Sequence, residues 1–192
     1  MAVLSAAGVD VQVVSASDGE AAYPGSSPRA QGQLKALRRN EVRRSAQRLA
    51  LAEPISLELP DGELTRHEQE LTDRIAALLS DFPAGRWCAA TWRGDGHPDH
   101  EAVGRAAAAA ATQTGAVLME YPVWMWHWAK PGDLAVPWTR ARRVTLTEQA
   151  LSAKRSAVEC FSSQTQPTAD GFTVLPPAVV RRALTVGEVV FV

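Results

Sequence analysis

Two of the chain's four histidines lie three residues apart in the stretch Trp92-Arg93-Gly94-Asp95-Gly96-His97-Pro98-Asp99-His100-Glu101, among acids and two glycines. Histidines so close to carboxylates suit a metal site. If a helical turn begins by Pro98, the rings of His97 and His100 face one side. The positive end of the helix dipole disfavours imidazolium there, so His100 stays neutral and able to coordinate a cation. Asp99 is placed to take the ring N–H of a neighbouring histidine and fix its tautomer, as carboxylates behind metal ligands do. The competing reading is a capped helix whose surface carries two histidines. The scarcity of histidine in the chain, and its standing as the commonest metal ligand, favour the functional reading. Two histidines do not close a zinc site, because a catalytic one takes about three protein ligands plus water.

The elements on either side must hold this loop. Arg86 to Trp92 reads as a short buried strand, and Asp99 to Gln113 as a helix with Pro98 in its first turn and Gly115 as its stop. A strand, a polar loop and a helix N-terminus form a common place for chemistry in α/β enzymes. Upstream, Met1 to Ala7 reads as the tail of a helix ended by Gly8, and Val9 to Ser15 as a strand. Ser17-Asp18-Gly19-Glu20 follows at that strand's end, where a plain Asp-Gly turn is the simpler reading. Tyr23 to Gly32 is an exposed loop. Gln33 to Leu51 is a helix with Leu34, Leu37, Ala46 and Leu49 inward, and its basic residues form a solvated face. Pro54 to Leu59 is a second short strand before the turn Pro60-Asp61-Gly62. Thr65 or Arg66 to Ser80 is a helix with Leu71, Ile75, Leu78 and Leu79 inward and a surface His67. Val117 to Tyr121 and Arg142 to Leu146 are strands, and Thr147 caps a helix running to Ser162. Gln164 to Gly171 is a loop, Val179 to Ala183 a short helix, and Val186 to Val192 a closing strand. This alternation predicts a three-layer α/β fold with one mostly parallel sheet. A chain that opens in mid-helix lacks the strand that would normally feed that helix.

Four of the six tryptophans fall between residues 124 and 138, three of them alternating in Pro122-Val123-Trp124-Met125-Trp126-His127-Trp128. In an extended run the three would share one face, with His127 on the other. Flat aromatic surfaces there suit a sugar ring, a core or a subunit contact equally. At 192 residues, with 46% apolar and 21% charged residues, the chain suits one globular domain, and its net charge of −1 gives nucleic acid no support as a partner. Cys88 and Cys160 are too few for a disulfide framework and read as reduced, cytosolic thiols. No apolar run approaches the roughly 18 residues of a membrane span, and no basic region precedes an apolar start as in a secretory signal.

Gly96-His97-Pro98-Asp99-His100-Glu101-Ala102-Val103-Gly104-Arg105 resembles the second signature of the GlcNAc-PI de-N-acetylase-like family (LmbE/PIG-L deacetylases). Weaker stretches agree in the family's order: Ser17-Asp18-Gly19-Glu20; Arg38 and Glu41 in an R-x-x-E helix; Leu59-Pro60-Asp61-Gly62; Lys154 with Ala157; Ser163-Gln164; and Glu188-Val189-Val190-Phe191. The resemblance implies a Rossmann-like fold over residues 1–192 as one deacetylase domain, and the two reduced cysteines place it in the cytoplasm. The resemblance also implies a zinc hydrolase that removes an N-acetyl or related N-acyl group from an amino sugar or sugar conjugate. On the family's pattern His100 is a zinc ligand, His97 polarises the amide carbonyl, and Asp99 orients that imidazole. Glu20, Arg38 and Asp61 match positions near the substrate. The family's opening strand, ending in His-Pro-Asp-Asp-Glu, has no counterpart. It would lie just upstream of Met1, so the chain reads as truncated by its first strand, with two zinc ligands and the general base missing. An unpaired sheet edge would then invite self-association into a homo-oligomer. The alternative is a non-catalytic remnant that binds a sugar or a protein through its Trp-rich face. A nucleotide-binding protein is disfavoured, because no G-x-G-x-x-G follows a strand.

Overall fold

A computed structural model describes residues 1–169 and 171–192. The fold is α/β, and the chain divides into two compact units, residues 1–61 with 145–187, and residues 62–144 with 188–192.

In chain order the elements are α1 (Ala2–Ala6), β1 (Val14–Ser15), α2 (Pro28–Arg48), β2 (Ile55–Ser56), α3 (Glu68–Ser80), β3 (Trp87–Thr91), α4 (Pro98–Thr114), β4 (Val117–Tyr121), α5 (Met125–Trp128), β5 (Ala141–Val144), α6 (Glu148–Val158), α7 (Ser162–Thr165), α8 (Pro177–Val186) and β6 (Glu188–Phe191). Single 3-10 turns cover Leu64–His67 and Trp138–Arg140. No helix among the described residues is long and apolar enough to cross a membrane.

The first unit carries a two-stranded parallel sheet, with Val14 opposite Ile55 and Ser15 opposite Ser56. Both strands are shorter than the alternation suggests. Helix α2 begins earlier than expected, at Pro28, because Ser27 is extended and its hydroxyl caps Ala30 N–H at 3.3 Å. Its inner face differs in part. Ala46 is buried as expected, but Leu37, expected inward, is 45% exposed, while Glu41 is 1% exposed. Burying a carboxylate is costly unless it is fully bonded. Glu41 meets that condition: Oε1 accepts from Ser162 Oγ at 3.0 Å and Ser163 N–H at 2.8 Å, and Oε2 from Ser163 Oγ at 2.6 Å. Glu41 thereby anchors α7. Helix α6 starts on the Thr147 cap as its sequence signals, and Lys154 donates to the Ala183 carbonyl of α8 at 2.8 Å. The loop expected over 164–171 is in part the end of α7, and it includes Asp170, which lies outside the described residues.

The second unit holds a four-stranded mixed sheet in the order β3-β4-β6-β5. Strands β3 and β4 are parallel, with Cys88 opposite Leu118 and Thr91 opposite Tyr121. Strand β6 runs antiparallel to both β4 and β5. Against β3 lies α4, whose Ala102, Ala106, Ala107, Ala110 and Ala111 are buried together with Leu71 and Leu79 of α3. The alanine run is a helix interior because small side chains let these elements approach closely. Trp92, Met125, Val136 and Phe191 form a second cluster, joined at its edge by Trp126 and Trp128. Strand β3 is less buried than expected, with Trp87 61% exposed. Both cysteines are free thiols, and burial pushes the Cys88 thiol up.

Candidate functional site

The six residues singled out by sequence fall in two groups, one in each unit. In the second unit, β3 ends at Thr91 and a tight turn carries the chain into α4. Gly96 takes φ +85°, and a Cβ there would stand 2.7 Å from the indole nitrogen of Trp128, so only glycine fits. That indole donates to the Asp95 carbonyl at 2.9 Å. Gly96 N–H donates to Glu101 Oε1 at 3.0 Å, closing the loop back onto the helix. His97 is extended and caps α4 through Nδ1, which accepts from Asp99 N–H at 3.3 Å, and Pro98 occupies the first helical position. Thr91 Oγ1 donates to the His100 carbonyl at 2.7 Å. The two imidazoles stack with centroids 4.5 Å apart and planes 29° apart.

Asp99 is buried, and its carboxylate accepts from Gly62 N–H at 2.7 Å and Leu64 N–H at 3.2 Å. It is through its backbone N–H that Asp99 touches His97. The carboxylate that addresses a histidine ring is Asp95, whose Oδ2 lies 2.6 Å from His100 Nδ1. Asp95 is completely buried and also accepts from Val123 N–H at 2.8 Å, Trp124 N–H at 2.6 Å and Met125 N–H at 3.0 Å. Burial works to raise its pKa, but the His100 hydrogen bond and the three backbone N–H groups outweigh this and hold it below the ordinary value. An ionised carboxylate can only accept, so His100 Nδ1 carries a hydrogen, which in the neutral ring leaves the lone pair on Nε2. His97 has the opposite arrangement. Its Nδ1 accepts, so in the neutral ring the hydrogen sits on Nε2.

The sequence gives little warning of Asp95, because an aspartate between glycines reads as a turn residue. The same carboxylate explains why the tryptophan run is not extended. By capping the N–H groups of residues 123–125 it starts the single turn α5, which replaces strand alternation with helical spacing. Trp124 then stacks on His127 at 4.0 Å and meets the edge of His97 at 5.4 Å, while Met125 is buried in the core. His67 pairs with Glu70 at 3.3 Å on the surface of α3.

In the first unit Asp61 ties the 17–21 loop, with Oδ1 accepting from Ser17 Oγ at 3.0 Å and Oδ2 from Ala21 N–H at 3.0 Å. Arg38 Nη1 donates to the Gly19 carbonyl at 2.7 Å, and Glu20 Oε1 accepts a long bond from Asp61 N–H at 3.5 Å. Arg38 Nε and Nη2 and Glu20 Oε2 are buried with no hydrogen-bond partner among the described residues. Buried donors and acceptors of this kind are costly without partners, and a polar ligand is one way to satisfy them. Asp18 in the same loop is a structural acid, bonded to Arg39 at 2.7 Å and Ser56 at 3.1 Å and paired with Lys35 at 3.5 Å.

Among the described residues no group of three or more His, Cys, Asp and Glu is arranged to hold a metal ion. The donor chemistry agrees. His100 presents Nε2, but the neighbouring Asp95 and Asp99 carboxylates are committed to N–H donors. One imidazole is a ligand and not a site, so these residues by themselves do not fit a metal.

The GlcNAc-PI de-N-acetylase (PIG-L) family matches residues 1–111, more than half of the chain. Several solved structures share the fold. The conserved protein TT1542 from Thermus thermophilus is 24% identical with a TM-score of 0.65, over 96% of this chain and 76% of that one. The A40926 pseudoaglycone deacetylase Dbv21 is 20% identical with a TM-score of 0.66, over 99% and 87%. The zinc-inhibited form of teicoplanin deacetylase Orf2 is 19% identical with a TM-score of 0.69, over 99% and 89%. At these identities the likeness establishes the fold. No curated protein matches the chain.

Proposed function

This chain belongs to the PIG-L family of GlcNAc-PI de-N-acetylases, and we propose that it is a zinc-dependent N-deacetylase acting on an N-acetylated amino sugar or sugar conjugate. Membership points to deacetylation and to a metal, and the similar structures include deacetylases, one of them in a zinc-inhibited form. We read residues 1–192 as one such domain, working in the cytoplasm. The observation that carries the proposal is the opposite bonding of the stacked pair at Nδ1: His100 Nδ1 faces the Asp95 carboxylate, which suits Nε2 to a metal, and His97 Nδ1 accepts from Asp99 N–H, which suits Nε2 to donate.

Amide hydrolysis adds water to the acetyl carbon, places negative charge on the carbonyl oxygen, breaks the C–N bond and leaves a proton on the departing amine. A fixed N–H donor aimed at that oxygen lowers the barrier most where charge develops. His97 is assigned that donor. Asp99 is assigned its orientation through the backbone N–H, with the carboxylate locking the first turn of α4 to residues 62 and 64. His100 is assigned as one metal ligand, the single ligand these residues supply toward zinc. Arg38, Glu20 and Asp61 are assigned to the sugar, since the unpartnered atoms of Arg38 and Glu20 offer two donors and an acceptor suited to hydroxyl groups.

The test is acetate release from N-acetylglucosamine and its glycosides with Zn2+ in excess. Acetate and free amine at excess Zn2+, lost in His97→Ala and in His100→Ala, are the expected results. No acetate from any N-acetyl sugar at saturating Zn2+ overturns the proposal.

A further inference from the structure

We propose that Asp95 is a positioning residue that couples the histidine pair to the tryptophan turn, setting the proton on His100 and seating Trp124 against His97 with one carboxylate. The inference rests on the reading of His97 and His100 as functional residues, and it concerns the origin of their arrangement. The carboxylate reaches four donors: the imidazole at 2.6 Å and the N–H groups of Val123, Trp124 and Met125 at 2.6–3.0 Å. It is fully buried, so no water competes for it. Its own carbonyl takes the Trp128 indole from the far end of the same turn. The turn 123–128 is therefore held at both ends by one residue, which also fixes His100.

Two consequences follow. His100 cannot invert its tautomer while Asp95 is a carboxylate, because inversion would set a lone pair against an acceptor 2.6 Å away. Asp95 also fixes the backbone of Trp124, from which the indole meets the edge of His97. The wall made by Trp124 and His127, stacked at 4.0 Å, is thus built into the histidine site, and its flat faces suit the acyl group or sugar ring of a bound amide.

The experiment is 15N–1H imidazole NMR on the intact 192-residue chain without metal. Resonances are assigned with His97→Gln and His100→Gln. In the wild type His100 is expected with its hydrogen on Nδ1 and His97 with its hydrogen on Nε2. In Asp95→Asn an amide oxygen in the place of Oδ1 still accepts from Val123 and Met125 N–H, while the NH2 in the place of Oδ2 faces His100 and the Trp124 N–H, so the His100 tautomer is expected to invert and the Trp124 end of the turn to loosen. The deacetylase kcat is expected to fall about 10- to 100-fold with KM nearly unchanged, as for other residues that orient a functional histidine. Trp128→Phe, which removes the indole bond to the Asp95 carbonyl, is expected to keep the His100 tautomer, because the Asp95 carboxylate keeps its four donors. A wild-type His100 protonated on Nε2 overturns the proposal without needing any Asp95 variant to fold. So does a folded Asp95→Asn protein whose His100 tautomer is unchanged. If the tautomers stand and no N-acetyl sugar is hydrolysed, the positioning role holds and the deacetylase reading is what fails.

Discussion

The Asp95 carboxylate and the Arg38 guanidinium are both drawn into the structure, yet they are treated in opposite ways. Every donor that Asp95 meets is aimed at it, four in all, and the group is completely buried. Arg38 makes one bond, to the Gly19 carbonyl, while its Nε and Nη2 are buried without partners among the described residues. The first pattern contributes to folding stability, because its polar atoms are better satisfied folded than alone. The second lowers stability in a way that a bound hydroxyl or carboxylate would offset. On the proposed function, the difference separates a residue that builds a site from one that reads a ligand.

The largest expected effect breaks that comparison directly. Asp95→Ala leaves three backbone N–H groups and an imidazole N–H without an acceptor, and we expect a loss of about 3–5 kcal/mol in urea unfolding. Arg38→Leu removes atoms that are already poorly satisfied, and we expect stability to change by less than about 1 kcal/mol. Its cost appears in the KM for an N-acetyl sugar. Equal stability losses in the two variants would mean that the proposed division of roles is wrong.

Gly19→Ala sharpens the comparison with a smaller effect. Gly19 has φ +72°, and a Cβ at that position would run into the Arg38 guanidinium. We expect about 1–3 kcal/mol of destabilisation, from the left-handed backbone and the displaced arginine together. Sugar affinity should fall as it does in Arg38→Leu. An unchanged affinity would show that the position of Arg38 is irrelevant to binding.

How much of this was legible in the sequence depended on whether the cause was local. The start of α4 at Pro98 and its stop at Gly115 follow from residues within one turn, and both appear where they were expected. So does the Thr147 cap of α6. The shape of the tryptophan run was not legible, because it is set by a carboxylate some 30 positions away in sequence rather than by its own alternation. The polar inner face of α2 was hidden for the same reason, since the partners of Glu41 are Ser162 and Ser163. The signature His97-Pro98-Asp99-His100 pointed to the loop between β3 and α4. Its spacing could not show that Asp95, rather than Asp99, would place a carboxylate on an imidazole.

The smallest expected effect lies within one loop, between Asp18 and its neighbour Glu20. Burial disfavours the charged form of Asp18, but its bond to Arg39, with Ser56 and Lys35, outweighs this and holds its pKa below the usual value. The group is therefore protonated less readily when folded than when unfolded. Its stabilising contribution is complete above the unfolded pKa, near pH 4, and disappears as pH falls through the folded value. In Asp18→Asn that dependence is gone. The wild type should exceed the variant in stability by a constant amount from pH 7 to about pH 5, and the gap should narrow steadily below about pH 4. Glu58, also held low by Arg39, titrates in both proteins and does not create the difference. Sugar binding should survive Asp18→Asn at pH 7 while Glu20→Gln weakens it, because the first acid has its partners within the fold and the second keeps a buried oxygen without one. A gap that stays constant down to pH 3 would show that Asp18 is not held by its cations, and the loop would then hold two ligand-facing acids instead of one.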